Sequence, residues 1–337
     1  MNPTIRDVAR VAGVSVATAS RVLSGSAYPV APEVRLRVQE AAHTLEFTAN
    51  AFARGLSRRE SHLVGIVVPN ISEPFFLEIA RGAESVTSQH GYMVVMCNTE
   101  RDPARERKYL EELRAMRSGA ILVERTDYDE EITRQIRTHP APLVAIGPHL
   151  LPCSCVRVDN IHGAMTTTQH LIELGHRRIA FIEGSASSPS ALDRREGFRL
   201  AMAQNGITVD EDLLLPGDYT MAGAAAAMAR LLAEKAPPDA VFAANDQMAI
   251  GAMWAAMEHG LKVPEDLSVV GFNDTPVAAF LNPPLTSFHI PLRQIGEVAA
   301  RLLLDQLNGD AQLRTVTIKG KLVVRRSAIR KRGESPP

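Results

Sequence analysis

The chain has 337 residues, 45% hydrophobic and 22% charged, with 37 basic against 38 acidic side chains and a formal net charge of −1. That is enough apolar material for large buried cores in more than one domain. It excludes a membrane-spanning protein, because no apolar run approaches the roughly 20 residues a helix needs to cross a bilayer. The first residues lack a charged-then-apolar signal, so a cytoplasmic address is expected. Cys97, Cys153 and Cys155 give no even disulfide framework, and one Cys-x-Cys pair without further ligands is a poor metal site, which leaves free thiols.

Thr4 to Leu23 reads as two short helices meeting at a tight turn. Thr4 and Asp7 stand at capping-box spacing: the Thr4 hydroxyl is placed to accept from the first turn, and Asp7 lies where the helix dipole favours negative charge. Val8, Ala9 and Ala12 make a small apolar face, Gly13 supplies the turn and Ser15 caps the second helix. Ala19, Val22 and Leu23 pack inward, leaving Val16, Ala17, Ser20 and Arg21 on the face that would enter a major groove. A third helix starts at Pro32, with Val34, Val38, Ala41 and Leu45 at helical spacing. Asn50 to Leu56, NAFARGL, is a capped segment of about two turns, too short to be stable in water alone. Up to Glu60 there are eight arginines against five acidic side chains, so a basic head precedes an acidic body.

Past the polar linker Ser57 to Ser61, short apolar runs alternate with helical stretches. Leu63–Val68, Tyr92–Cys97, Ala120–Val123 and Leu143–Ile146 are expected strands, separated by helices near 75–89, 104–117 and 130–137. The series repeats with strands at Ile179–Ile182, Ala240–Ala243 and Ser268–Gly271. Such alternation means parallel sheets covered on both faces, in two similar α/β lobes with a cleft at the carboxyl ends of their strands. Gly65 to Asn70 lacks dinucleotide-binding spacing, there is no phosphate loop, and no Ser, His and Asp grouping sits on a nucleophile turn, so catalysis has no foothold. His170, His176 and His289 are expected to pack or face solvent.

The ordered motifs TIRDVARVAGVSVATASRVLSG, NAFARGL, VGIVVPNISEPFF, VDNIHGA (158–164), HLIELGHRRIAFIEG (170–184), AANDQMAIGAM (243–253), VGFNDTP (270–276), PPLTSFHIP (283–291) and LVVRRSA span essentially the whole chain. Together they resemble the lactose-repressor (LacI/GalR) family of transcription regulators. The fold expected is α/β: an N-terminal all-α helix-turn-helix headpiece (1–49), a hinge helix and linker (50–61), a two-lobed periplasmic-binding-protein-like core of parallel sheets (62–330) and a tail (331–337). The resemblance implies three crossings between the lobes, lobe 1 taking about 62–160 and 291–319 and lobe 2 about 161–290 and 320–330. Fold alone does not decide function, and the rival class is a small-molecule binding protein or sugar-acting enzyme built on the same core. The headpiece weighs against it.

The implied partners are double-stranded operator DNA, a small-molecule effector (a sugar, sugar acid or nucleoside) and a second copy of the chain in a homodimer, with no cofactor and no metal. Expected DNA contacts are Thr4, Ser15, Val16, Ala17, Thr18, Ser20 and Arg21, joined in the hinge by Asn50, Ala53, Arg54 and Leu56, the leucine acting as a minor-groove wedge. Ala49 stands where the family usually has a proline before the hinge asparagine. Expected effector contacts are Phe75 and Phe76, of which one could be core; Arg194, matching the family position before Gly197-Phe198; Asn245, Asn273 and Asp274, for which helix capping is the competing reading; and Asp159 and Tyr219, equally compatible with structural roles. At Asn273 many relatives carry an aspartate, which leaves the ligand class open.

Overall fold

A computed structural model describes residues 3–23, 28–47, 61–123, 130–139, 141–148 and 151–331. The chain divides into two units between His62 and Leu63. The hinge residues Asn50, Ala53, Arg54 and Leu56 lie outside the described residues.

In the first unit, α1 (Ile5–Ala12), α2 (Val16–Leu23) and α3 (Pro32–Thr44) enclose a core of Val8, Ala9, Ala12, Ala19, Val22, Val38, Ala41 and Ala42. The side chains are small because the helices are short and cross closely. The cap of α1 is the Thr4–Asp7 box that the spacing predicts. Asp7 accepts from both the backbone N–H and the hydroxyl of Thr4, at 3.0 and 2.7 Å, and the two residues form a capping box. An ionised carboxylate is the stronger acceptor within reach. These hydrogen bonds, with Arg10 at 2.7 Å, hold the Asp7 carboxyl below its ordinary range. Gly13 ends α1 at φ +64°, where a side chain would be strained. Ser15 caps α2 by accepting from the Thr18 N–H at 3.1 Å.

The second unit holds two six-stranded sheets. The first is built from β1 (Leu63–Val68), β2 (Met93–Asn98), β3 (Gly119–Val123), β4 (Leu143–Ile146), β5 (Ser154–Val158) and β11 (Thr315–Ile318), ordered β11-β5-β4-β3-β1-β2. Its helices are α4 (Pro74–Thr87), α5 (Pro103–Ala115), α6 (Glu130–Arg137) and α11 (Leu292–Leu307). The second has β6 (Ile179–Glu183), β7 (Leu214–Pro216), β8 (Ala240–Ala243), β9 (Ser268–Asn273), β10 (Thr286–His289) and β12 (Lys321–Val323), ordered β12-β10-β9-β8-β6-β7, with α7 (Asn160–Glu173), α8 (Pro189–Gln204), α9 (Met221–Leu232) and α10 (Asp246–Glu258). All pairings are parallel except β10 with β12.

The strands β5, β7, β10 and β11 fall outside the apolar-run reading. They are short, and all but β7 carry polar residues, among them Ser154, Thr286 and Ser287, which are fully buried because distant segments supply hydrogen bonds: Gln306 Nε2 donates to Ser154 Oγ, and Ser287 Oγ to Asp246. The chain passes between sheets after Val158, after His289 and after Ile318. Lobe 2 is centred on stacked rings running Phe198–Phe181–Phe242–Phe272–Phe288, with successive centroids 4.9 to 6.2 Å apart. Lobe 1 is filled by aliphatic side chains such as Ile66, Ile79 and Ile121.

Candidate functional site

Each lobe's parallel strands end on one side, and the loops leaving them meet around a cavity of about 310 Å³ open space, its mouth included. Lobe 1 contributes Glu73, Phe75 and Phe76 after β1 and Arg101 after β2; lobe 2 contributes Arg194 from α8, Tyr219 after β7, Asn245 after β8 and Asn273 at the end of β9. Phe75 and Phe76 meet edge to face with centroids 5.1 Å apart. Both line the cavity, so neither is core alone.

Arg194 is 4% exposed. Its Nε donates to Asn160 Oδ1 at 2.9 Å and its Nη1 to the Ala244 carbonyl, while the guanidinium lies 4.1 Å over the Phe272 ring. The Nη2 edge is left for the cavity. Its neighbour Arg195 turns outward to Glu183, 2.6 Å away. Asn245 both lines the cavity and caps α10, its Oδ1 accepting from the Met248 N–H at 2.8 Å. Asn273 is 5% exposed, and its amide oxygen has no protein partner. The Tyr219 hydroxyl pairs with Ser188 Oγ at 3.2 Å. Its ring occupies the space a Cβ on Gly184 would need, 2.2 Å from the nearest ring atom.

Arg101 is presented by a turn from Thr99 to Asp102, closed by the Asp102 N–H donating to the Thr99 carbonyl at 3.0 Å. Glu100 and Arg101 sit at φ +54° and +60°. Positive φ at both central positions is the type I′ pattern, normally filled by Asn and Gly. For other residues it costs about 1–2 kcal/mol each. The turn is held by Arg105 on Glu100 at 2.5 Å and by Asp102 capping α5 at Ala104. Arg101 thereby reaches Glu73 at 3.1 Å and lies 5.4 Å over the Tyr219 ring, a contact spanning the two lobes. Tyr219 and Asn273 also carry left-handed backbone, at φ +61° and +101°. Three strained residues converge on one cavity, and strain of this kind persists at functional sites where the surroundings over-determine it.

Of the residues expected to meet effector, Phe75, Phe76, Arg194, Tyr219, Asn245 and Asn273 line this cavity, whereas Asp159 and Asp274 do not. Asp159 stands at the first lobe crossing and caps α7, accepting from His162 N at 2.9 Å. Asp274 turns toward the other crossings, 2.7 Å from Arg325 and 3.1 Å from His289. Sequence reading missed Glu73 and Arg101. Glu73 stood inside the quoted SEPFF motif, and Arg101 follows a strand end in a parallel sheet, the one signal that could have flagged it.

On the headpiece, Thr4, Val16, Ala17, Ser20 and Arg21 are exposed and Thr18 is half-buried beside the Ser15 cap. The Arg21 guanidinium lies 4.4 Å from the centre of the Tyr28 ring. An exposed helix with small residues at its start and a steadied arginine near its end is shaped for a DNA groove. Among the described residues, no cluster of His, Cys, Asp and Glu could hold a metal, and no helix is long and apolar enough to cross a membrane.

A helix-turn-helix unit joined to two α/β lobes around a polar-lined cavity defines the class of ligand-controlled DNA-binding regulators. Comparison with known proteins agrees. Residues 4–50 match the family described as "Bacterial regulatory proteins, lacI family", and residues 168–328 match "Periplasmic binding protein-like domain". The chain is 34% identical to Catabolite control protein A of Priestia megaterium over 313 residues, 91% of this chain and 93% of the relative. It is 34% identical to the Ribose operon repressor of Escherichia coli over 307 residues, 90% and 93% of the two chains. Its structure is similar to that of the lac repressor dimer bound to operator and the anti-inducer ONPF, with a TM-score of 0.85 at 29% identity, covering 98% of this chain and 100% of that one. The chain belongs to the LacI family. It is a DNA-binding transcriptional repressor under small-molecule control, and not an enzyme.

Proposed function

We propose that the cavity between the lobes receives a compact sugar or sugar-derived metabolite, and that its occupancy sets the affinity of residues 1–49 for operator DNA through the hinge at 50–61. The observation that carries this reading is the convergence on one cavity of residues from both lobes, since a ligand touching both can bias their relative placement. Phe75, Phe76 and Tyr219 would stack on or enclose the ring, Arg194 would clamp it with its free edge, and Asn245 and Asn273 would orient it. The Ribose operon repressor and the sugar-bound family structures, CelR with cellobiose and an Enterococcus faecium regulator with ribose, support a sugar-like ligand. Asp159 and Asp274 act in this reading through the lobe crossings. Base reading is assigned to Val16, Ala17, Ser20 and Arg21, backbone contact to Thr4, Ser15 and Thr18, and the minor-groove role to Asn50, Ala53, Arg54 and Leu56.

Two copies are needed to read a two-fold operator with useful specificity. Large apolar side chains left at the surface of the core, Met93 on the edge strand β2 and Trp254, Met257 and Phe280 on lobe 2, suit burial against a second copy. The site of action is the cytoplasm. Gel-shift titration of the full chain on operator DNA, with and without candidate sugars, tests the reading. The expected result is a sugar-dependent change in operator affinity of at least ten-fold that Tyr219→Ala removes while leaving ligand-free operator binding intact. An unchanged response in that variant would move the effector elsewhere.

A further inference from the structure

We infer that the effector is an anion, a sugar derivative carrying a carboxylate or phosphate rather than a neutral sugar; this rests on the cavity being the effector site. The argument starts from charge. Among the residues lining the cavity the ionisable side chains besides Tyr219 are Arg101, Arg194 and Glu73. Arg101 is neutralised within its own lobe by Glu73 at 3.1 Å. Arg194 is not: its two hydrogen bonds go to the Asn160 amide oxygen and the Ala244 carbonyl, its face covers Phe272, and no carboxylate comes within ion-pair distance of it among the described residues. The carboxylates beside these residues are committed elsewhere: Asp246, next to Asn245, accepts from Thr275 and Ser287, Asp274 meets Arg325 and His289, and Asp159 caps α7. At Asn273, which completes the polar wall, the side chain is a neutral amide whose oxygen has no protein partner.

A guanidinium cannot shed its proton, so burying it among neutral acceptors leaves an uncompensated charge. A pair of sugar hydroxyls would satisfy the remaining N–H groups and leave that charge in place. A carboxylate or phosphate oxygen pair satisfies the same fork and removes the charge, with stronger hydrogen bonds. The rest of the lining points the same way. No unpaired carboxylate lines the cavity to repel an anion.

The test is calorimetric titration and thermal shift of the full chain, near neutral pH and at fixed ionic strength, with matched probes: D-ribose and D-glucose, the aldonates made from them, and their terminal phosphate esters. At least one acid or ester should bind ten-fold or more tightly than its neutral parent, and the carboxylate and phosphate arms distinguish the two sources of charge. Asn273→Asp, which places a carboxylate in the wall, should weaken that anion at least ten-fold more than it weakens the neutral parent. Arg194→Gln should erase the preference; if that variant does not fold, Asn273→Asp decides alone. A neutral sugar that binds as tightly as its acid and ester, or an anion preference that survives Asn273→Asp, overturns the inference and leaves the effector cavity standing. If no probe shifts either melting or operator affinity, both the inference and the cavity's assignment fall.

Discussion

The headpiece and lobe 2 solve the problem of stability in opposite ways. The headpiece packs valines and alanines, with no aromatic ring in its buried core, and relies on the Thr4–Asp7 cap, the Gly13 turn and the Ser15 cap to fix its helices. Lobe 2 buries a column of five phenylalanines beneath its cavity. At roughly 0.05–0.15 kcal/mol per residue, a unit as small as the headpiece holds only a few kcal/mol in total. Small side chains suit a unit that must expose a reading face on a short helix. A polar cavity with strained turns needs the deeper core, because strain and buried charge persist only where packing over-determines them.

The sharpest way to break this contrast is Phe242→Ala. Phe242 is fully buried and touches rings on both sides, so the loss should be about 3–5 kcal/mol. Urea unfolding should show it in the core transition, with headpiece melting unchanged; a shared shift would mean the units are not energetically separate.

Next comes Asp246, buried at the start of α10, whose carboxylate accepts from Ser287 Oγ at 2.6 Å and from the Thr275 N–H and hydroxyl at 2.6 and 2.8 Å. Burial pushes its pKa up from 3.8 to about 6. Because the folded value is the higher one, the native state takes up the proton first. This group therefore adds stability as pH falls from about 6 toward 4 and withholds it above 6. Asp246→Asn should remove that slope from the core's melting temperature. It should also cost about 1–3 kcal/mol near neutral pH, by leaving donors unsatisfied. A variant with the parent's pH profile would show that Asp246 does not titrate there.

Thr4→Ala probes the headpiece's dependence on local caps and should cost about 1 kcal/mol, seen in the headpiece transition alone. Asp7, held low by Thr4, contributes stability above its ordinary range that is lost on acidification, and Thr4→Ala should diminish that acid sensitivity. The smallest expected effect is Tyr28→Ala. Removing the ring under Arg21 forfeits roughly 0.5–1 kcal/mol of arginine placement, a few-fold loss of operator affinity in gel shifts with no change in core melting.

The helix-turn-helix, the strand–helix alternation and most of the cavity wall were legible along the chain. Those features rest on short-range rules: capping residues three apart, apolar periodicity, and loops that follow parallel strands. Phe75 and Phe76 were legible from the loop that follows the first strand, and Arg194 from its match to the family position before Gly197-Phe198. Tertiary structure decided what adjacent residues do. Asn273 and Asp274 are neighbours in the chain, yet only the first lines the cavity; Arg325, 51 residues further on and brought alongside by β12, draws the second away. Arg101 and Glu73 were invisible as a pair because 28 residues separate them and a turn that defies residue preference joins them. Polar strands such as β5 and β10 likewise became strands only when distant groups supplied their hydrogen bonds. Local propensity is written within a few residues, whereas the sharing of charges and hydrogen bonds in a buried cleft depends on which distant segments the fold brings within about 3 Å.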